Sequence, residues 1–414
     1  MKDKVGILSL GCPRNLVDSE GILGRLFAKG HRIVDIEKAD VAIVNTCAFI
    51  DDAKRESIDA ILDLIELKKA GKLKKVIVYG CLAQRYKERL KKELPEVDAF
   101  IGRVSLNHET KRFAISPKHL AYLKICEGCI NSCSYCAIPK IKGRFVSLDE
   151  ESILEKVAAL DKEKISELNI IGQDITGFGT DLYKKASLVP LVRKIAAAAE
   201  KIRWIRLLYL YPDRVNDELI RLIKEEPKLC KYIDLPIQHI NDRILKMMNR
   251  GTSRVKTEAV IGKIRKILPE AAIRTSIITG FPTETDKEFD ELLDFVKETK
   301  FERLGVFIYS AEEGTPAYSI KPRVPEKVMR ERFDRIMKAQ QEVSRQNNAK
   351  LSGKTLEVLI EGEEDGAYLG RTQYDAPEVD GQVYVNSSKR LAAGDFLRVK
   401  ITDTLEYDLV GDAV

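Results

Sequence analysis

Short β-branched apolar runs, each closed by a cysteine, recur through the first third of the chain: VGILSLGC ends at Cys12, VAIVNTC at Cys47 and KVIVYGC at Cys81. Continuous apolar runs of this length suit strands buried on both faces of a parallel sheet. Between them the pattern takes on a helical period, in residues 19–30 and 51–71. The cysteines are 35 and 34 residues apart, one strand-plus-helix unit each time. The order βαβαβ predicts an N-terminal doubly wound α/β domain with a parallel sheet. Six further apolar runs follow: AYLKICEG, ELNIIGQDI, WIRLLYLY, YIDLPIQH, IRTSIITGFP and RLGVFIYS. Helical segments such as 149–163 and 286–300 separate them, which predicts a central partial (β/α)6 barrel, short of the full eight units. A charged amphipathic helix over 325–350 then gives way to alternating runs broken by Gly and Asp, the pattern of a small C-terminal antiparallel β-barrel. The expected domains are 1–116, 117–348 and 349–414.

A chain of 414 residues is too long for one ordinary core, which fits this division. No apolar run approaches a membrane span. The N-terminal MKDKVGILSLGC lacks the apolar core and small-residue cleavage site of a secretory signal and reads as a first strand. Eight cysteines in such a length, four of them clustered, do not describe a secreted disulfide scaffold. They point to metal or redox chemistry in a reducing, cytoplasmic setting.

The cluster is KICEGCINSCSYCAIP, with Cys126, Cys129, Cys133 and Cys136 inside eleven residues. Structural zinc sites pair two CxxC knuckles across a longer loop, whereas tightly spaced cysteines are typical of iron–sulfur clusters. Cys126 falls within the predicted strand and reads as a small buried side chain. Cys129, Cys133 and Cys136 fall in the loop after it, at a strand's carboxyl end, where barrel chemistry gathers. Three thiolates on a four-iron cube leave one iron open. A zinc-binding module on the translation machinery, using all four cysteines, stands as the non-enzymatic alternative.

The CxxxCxxC loop after the first strand of a partial barrel, with Tyr135 before its last cysteine, resembles the radical S-adenosylmethionine enzymes. The resemblance implies a 4Fe-4S cluster on Cys129, Cys133 and Cys136 whose open iron chelates S-adenosylmethionine and generates a 5′-deoxyadenosyl radical. It also implies that Tyr135 lies near the adenine. Cys126 is an addition to that family's pattern. Cys12, Cys47 and Cys81 each end a predicted strand at the same sheet edge, where ligands of parallel sheets gather, and read together as the ligands of a second cluster. That domain, the radical barrel and the tail together resemble the methylthiotransferases across essentially the whole chain. The resemblance implies insertion of a methylthio group into an unactivated C–H bond, with two 4Fe-4S clusters and two molecules of S-adenosylmethionine. It brings an electron donor and a sulfur source as further partners.

Two branches of that family differ in substrate. One modifies adenosine next to a transfer-RNA anticodon. The other, the RimO type, modifies an aspartate β-carbon of ribosomal protein S-twelve. SLGCPRNLVDSE, IDLPIQHINDRILKMMNR, RTSIITGFPTET, YSAEEGTPAY and YDAPEVDGQVYV resemble the RimO type. The transfer-RNA branch typically has Gln-Met where this chain has Pro13-Arg14 and Ser-Gly where it has His239-Ile240. The tail resembles the TRAM domain, which often binds RNA. Residues 351–414 carry six Lys and Arg against thirteen Asp and Glu, a balance of −7 within a formal +6 for the whole chain. An RNA-binding face needs cations, so this balance favours a basic protein partner. The bland reading is that these carboxylates only solvate a small barrel.

Gln173 and Asp174, after the second barrel strand, are placed to hydrogen-bond cofactor or substrate, or to cap a loop. Gly280 and Glu284 in TGFPTE resemble the superfamily's fifth-strand motif, where backbone packs by the adenine. His239 ends the fourth strand and reads equally as a positioning or a packing residue. Met247 and Met248 read as core, and the Lys-rich stretch 87–93 as a solvated helix face. The chain is expected to be a monomer with no membrane partner.

Overall fold

The computed structural model describes residues 3–103 and 112–414. The chain falls into two compact units that do not follow chain order. The first holds residues 1–116, 124–156 and 310–318; the second holds 117–123, 157–309 and 319–414.

In the first unit, β1 (Lys4–Ser9), β2 (Arg32–Ile33), β3 (Val41–Thr46), β4 (Lys75–Gly80) and β5 (Ala99–Ile101) form one sheet in the order β2-β1-β3-β4-β5. All neighbours pair parallel. Helices α1 (Pro13–Ala28), α2 (Asp51–Lys69) and α3 (Cys81–Glu93) make the crossovers. Both faces of the sheet are covered. Ala42, Val44, Val76 and Val78 pack against Ile61, Leu64 and Ile65 of α2. Val5, Val41, Ile43 and Tyr79 pack against Ile22 and Leu26 of α1. The strand order reverses between β1 and β3, and in doubly wound sheets ligands bind at the carboxyl edge beside such a switch point. Cys12 and Cys47 stand just past those two strands, and Cys81 opens α3 directly after β4.

The second unit holds most of a parallel barrel. Its strands are β6 (Leu120–Lys124), then, beyond a two-residue ladder of β7 (Cys126–Glu127) and β8 (Val146–Ser147) that belongs to the first unit, β9 (Glu167–Ile171), β10 (Trp204–Leu207), β11 (Tyr232–Asp234), β12 (Ala272–Thr279) and β13 (Arg303–Ile308). They run as β10-β9-β6 and β11-β12-β13. The two halves are joined through Ile205 bridging Leu229 and through Leu210 N–H on the Asp234 carbonyl, 3.0 Å. A helix over Glu326–Ala349 leads to a closed five-stranded barrel of β14 (Thr355–Glu364), β15 (Ala367–Thr372), β16 (Val383–Asn386), β17 (Phe396–Thr404) and β18 (Leu409–Ala413). Its core is Val358, Ile360, Val383, Val385, Val399, Ile401 and Leu409.

A buried ionic network joins this small barrel to the amino-terminal ends of the parallel strands. Glu167, the first residue of β9, accepts from Arg206 Nε at 2.8 Å and from Arg371 Nη2 at 2.6 Å. All three side chains are fully buried. Arg303, first in β13, donates to Asp375 at 2.7 Å. Tyr232, first in β11, donates its hydroxyl to Asp380 at 2.6 Å, and Arg274 lies 3.3 Å from both Asp234 and Asp380. The Gln373 carbonyl accepts from Arg206 at 2.8 Å. The β15–β16 connection is therefore seated by paired charges, as burial of ions in a low-dielectric interior demands. This occupies the end of a parallel barrel that serves stability and leaves the carboxyl ends of the strands for chemistry.

Candidate functional site: two cysteine sets in one compact unit

Cys12, Cys47, Cys81, Cys129, Cys133 and Cys136 all belong to the first unit. The local sequence explains how the strand-end set is held. Cys12 is the N-cap of α1, followed by Pro13 with its preset φ at the first helical position. Gly11 has φ +87°, and a side chain there would bring its Cβ to 2.8 Å from the Cβ of Cys47. Gly80 has φ +100°, and a Cβ would meet Asn45 Oδ1 at 2.3 Å. Only glycine lets the chain turn and the neighbouring strand end close in at both places.

Asn15, in the first turn of α1, ties the three strand ends together. Its Nδ2 donates to the carbonyls of Leu10 at 2.9 Å and Thr46 at 3.1 Å, and its Oδ1 accepts from Cys81 Sγ at 3.9 Å. Asn45 Nδ2 returns to the Asn15 carbonyl at 2.8 Å. Ser57 Oγ and the Cys47 backbone exchange hydrogen bonds of 3.0 Å in both directions.

The thiols differ electrostatically. Burial pushes Cys12 up, but the Arg14 guanidinium, a hydrogen bond from the Asn15 backbone and the Lys142 charge together bring it below its ordinary value. Burial raises Cys47 against hydrogen bonds from the Phe49 and Ala48 backbone. Burial, with the neighbouring Cys47 and Cys12, takes Cys81 up to about 12 despite Lys142. Mutually unfavourable thiolates held side by side are what a cationic metal group relieves.

The loop set is partly exposed at all three cysteines. Cys129 Sγ accepts from the backbone N–H and the Nδ2 of Asn131, both at 3.4 Å. Cys136 N–H closes a turn on the Cys133 carbonyl at 3.1 Å. Burial first, and then Cys133 and Cys129, push Cys136 to about 12. Ala137, directly after Cys136, packs in the same core as Cys81, Ala48 and Leu10. Tyr135 is half-buried on this loop, and the Ser134 carbonyl beside it accepts from Ala317 N–H at 2.8 Å. Cys126 differs from the three: it is fully buried in β7, opposite Ser147. Among the described residues no three His, Cys, Asp or Glu side chains converge as the ligands of one metal ion would. A four-iron cube takes each thiolate on a separate iron, and a set of three cysteines is the donor type such a cube takes.

Behind both sets lies a buried group of four charges. Lys124 pairs with Asp18 and, at 2.7 Å, with Glu127; Lys142 lies 3.3 Å from both carboxylates. Burial works against the Glu127 carboxylate, yet the two ammonium groups hold it well below the usual carboxylate range. These residues come from α1, the end of β6, β7 and α4 (Ile138–Lys142), so they clamp the cysteine loop to the helix that carries Cys12.

The remaining sequence-predicted residues lie in the second unit. Gln173 follows β9, and both polar atoms of its amide are buried without a protein partner. Asp174 is committed to Thr176 and Arg214. Glu284 takes the N–H of Gly280, faces His239 Nε2 at 3.4 Å and pairs with Arg332 at 3.1 Å. His239 Nδ1 accepts from Asn241 N–H at 3.0 Å, which leaves the proton on Nε2, facing Glu284. At Gly280 (φ +73°) a side chain would run into Met329. Asn169 was not anticipated. It sits in β9, fully buried, with both amide atoms unpartnered in the protein. The signal was an amide between the apolar Leu168 and Ile170 of the ELNII run.

Comparison with known proteins covers nearly all of the chain. Residues 4–102 match an uncharacterized protein family, UPF0004; residues 123–296 match the radical SAM superfamily; and residues 353–414 match the TRAM domain. A protein of Thermoanaerobacter sp., described as ribosomal protein uS12 methylthiotransferase RimO, is 48% identical over 99% of each chain. Proteins of the same description from Caldanaerobacter subterraneus and Geobacter sulfurreducens are 49% and 46% identical, over 99% or more of both chains. Among solved structures, the radical S-adenosylmethionine methyltransferase TsrM of Kitasatospora setae, with cobalamin and a [4Fe-4S] cluster bound, superposes with a TM-score of 0.51 at 12% identity over 77% of each chain. That likeness concerns the fold. On its curated relatives, the chain belongs to the RimO family of ribosomal protein uS12 methylthiotransferases.

Proposed function

We propose that this chain methylthiolates the β-carbon of an aspartate of ribosomal protein uS12 by radical S-adenosylmethionine chemistry. Its working parts are taken as a cluster-bearing N-terminal domain (1–116), a radical barrel (117–348) and a TRAM-like tail (349–414). The observation that carries the reading is the gathering of two three-cysteine sets into one compact unit, with Ala137 beside Cys136 sharing a core with Cys81. In this reading Cys129, Cys133 and Cys136 hold one 4Fe-4S cluster and Cys12, Cys47 and Cys81 hold the other. When bound, the two clusters and S-adenosylmethionine supply hydrogen abstraction and sulfur presentation.

The protein's own contribution is position and dielectric. Asn131 directs two N–H groups at the Cys129 sulfur, which stabilises its thiolate form. Asn15 and the glycines before Cys12 and Cys81 fix the strand-end sulfurs. The Gln173 amide, buried with its hydrogen bonds unmet by protein, would find partners in a polar cofactor. Glu284 anchors the Gly280 backbone, so the fifth strand ends in a fixed shape that would suit an adenine. An external reductant and a sulfur source complete the cycle. A cytoplasmic monomer is the expected form; among the described residues no helix is long and apolar enough to cross a membrane.

Anaerobic incubation with S-adenosylmethionine, reductant, sulfide and a uS12 peptide should add one methylthio mass to the aspartate. An unmodified anticodon stem-loop should gain none. Modification of the stem-loop alone would move the chain to the transfer-RNA reaction.

A further inference from the structure

We propose that Ser310–Tyr318 is a strap that fixes the two cysteine sets relative to each other, with Glu312 as the positioning residue for transfer between them. The inference rests on the two-cluster reading above and names what holds the two sets in register.

Residues 310–318 lie in the chain between β13 and residues 319–414, both parts of the second unit, yet they belong to the first. Within that unit they meet both cysteine sets. On the strand-end side, the buried Glu312 takes Arg85 Nη1 at 2.6 Å and Lys54 Nζ at 2.9 Å. The same Arg85 Nη1 donates to the carbonyl of Ala48, directly after Cys47, at 2.9 Å, and its Nη2 donates to the Glu313 carbonyl at 2.7 Å. Arg85 stands one turn into α3, the helix that Cys81 opens. Ser310 Oγ accepts from the N–H of Asp51, the first residue of α2, at 3.2 Å. Ser57 of α2 in turn holds the Cys47 backbone. On the loop side, Ala317 N–H donates at 2.8 Å to the carbonyl of Ser134, which lies between Cys133 and Cys136. Gly314 (φ +78°) lies close against Lys140 of α4, where a Cβ would come to 2.8 Å from Nζ. The strap is also braced within itself. Ser310 Oγ donates to Glu312 Oε1 at 2.7 Å, and Thr315 closes a turn on the Glu312 carbonyl through its Oγ1 at 2.7 Å and its N–H at 3.1 Å.

Glu312 therefore ties the cations that reach the ends of β3 and β4 to the segment that reaches the cysteine loop. A carboxylate this buried keeps its charge because cations meet it. A guanidinium that holds one carboxylate and two carbonyls fixes direction as well as distance, which an ammonium does not. Methylthio transfer needs the radical made at one set to act where the other presents sulfur. A misplacement of about 1 Å can cost a reaction on the order of a hundredfold. Radical formation uses the loop set and is indifferent to the spacing. Glu312 makes its contacts through Arg85, Lys54 and backbone, so its loss separates these two activities.

The test compares the reconstituted holoenzyme with Glu312→Gln and with Arg85→Lys, which keeps the buried charge. Iron and sulfide, 5′-deoxyadenosine and methylthiolated uS12 peptide are measured on each. Electron paramagnetic resonance of the reduced protein adds a readout of distance, because the spins of two neighbouring clusters interact. Both variants should keep their iron and form 5′-deoxyadenosine at near-native rate. Methylthio product per 5′-deoxyadenosine should fall by roughly tenfold to a hundredfold in Glu312→Gln and less in Arg85→Lys, with a changed spin–spin interaction in both. A merely structural role would lower iron, 5′-deoxyadenosine and product together. That pattern in Arg85→Lys, or an unchanged product ratio and resonance in Glu312→Gln, overturns the proposal. If the native protein holds iron for one cluster only, the two-cluster reading itself has failed, whatever Glu312 does.

Discussion

Replacing Glu167 by Gln removes one negative charge from the centre of the junction between the parallel barrel and the small β-barrel. Glu167 is fully buried and shared by Arg206 and Arg371, which are themselves buried. Arg206 would keep only the Gln373 carbonyl, and Arg371 the Asp375 carbonyl and Glu361. Removing one member of a buried ion pair costs about 3–5 kcal/mol, because the partner's charge stays desolvated. The single tryptophan reports on this place. Trp204 opens β10, stacks edge-on against Phe396 of β17 at 4.9 Å and donates to Glu357 at 3.2 Å. Urea unfolding followed by its fluorescence should show a midpoint lowered by about 1–2 M, for a slope of about 2–3 kcal/mol/M.

The control is Glu357→Gln. Its partner Arg203 is 53% exposed, so that pair is worth under about 1 kcal/mol. Equal loss in the two variants would refute the network as a stabilising junction. The pH dependence has a definite sign. Burial works against the Glu167 carboxylate, but Arg371 and Arg206 hold it below its ordinary value. Its contribution is present above the unfolded carboxylate pKa of about 4.3 and is lost as pH falls through the lower folded value. The urea midpoint of the native protein should therefore fall on acidification below about pH 4, and Glu167→Gln should flatten that fall.

Three further outcomes test the site. Cys129→Ala, Cys133→Ala or Cys136→Ala should each abolish formation of 5′-deoxyadenosine, while Cys126→Ala should leave it nearly intact; equal damage from Cys126→Ala would make that thiol a ligand. Replacing Cys12, Cys47 and Cys81 together should remove one cluster's iron and all methylthio transfer, and unchanged iron content would refute the second cluster. Charge reversal at the exposed Glu363, Glu364 and Asp365 should weaken capture of isolated uS12 most clearly at low salt, because screening acts over about 10 Å at 0.1 M; a salt series that leaves capture unchanged would deny the tail an electrostatic role.

The parts of the fold legible in the sequence were those whose burial is continuous. Strands β1, β3 and β4 are apolar along their length because both sheet faces are covered, and that pattern alone puts Cys12, Cys47 and Cys81 at one sheet edge. Later amphipathic helices were legible to within a residue or two, 286–300 being expected and Asp286–Thr299 found, but the first helix was expected over 19–30 and runs Pro13–Ala28, because its first turn follows Cys12 directly with Pro13 at the first helical position. The short strands Arg32–Ile33 and Ala99–Ile101 carry too few residues to show a period. Cys126 was expected inside the first barrel strand, but that strand ends at Lys124 and Cys126 pairs in a separate ladder with β8. The turn is set by tertiary partners: Lys124 enters the buried charge group with Asp18, and the Ile125 carbonyl accepts from Leu148 N–H at 2.9 Å. Periodicity carries no trace of a ladder that pairs Cys126 with Ser147, 21 positions later.

The acidic tail shows the same limit in charge rather than in pattern. Counting side chains gave residues 351–414 a balance of −7, read as a field for a basic partner. The fold spends part of that balance internally. Asp375 and Asp380 are consumed by Arg303 and Arg274, Glu361 by Arg371, and Glu357 by Arg203. Two of the cations they meet, Arg303 and Arg274, stand at or near the start of the apolar runs RLGVFIYS and IRTSIITG, where an arginine beside an apolar strand was the visible sign that a carboxylate must arrive from elsewhere. Carboxylates that stay exposed for a partner include the tip of the β14–β15 hairpin, Glu363 to Asp365, with Glu378, Asp403, Glu406 and Asp412 elsewhere on the small barrel. The electrostatic case for a protein substrate therefore rests on the carboxylates that stay exposed, those of the hairpin tip among them, rather than on the tail's net charge.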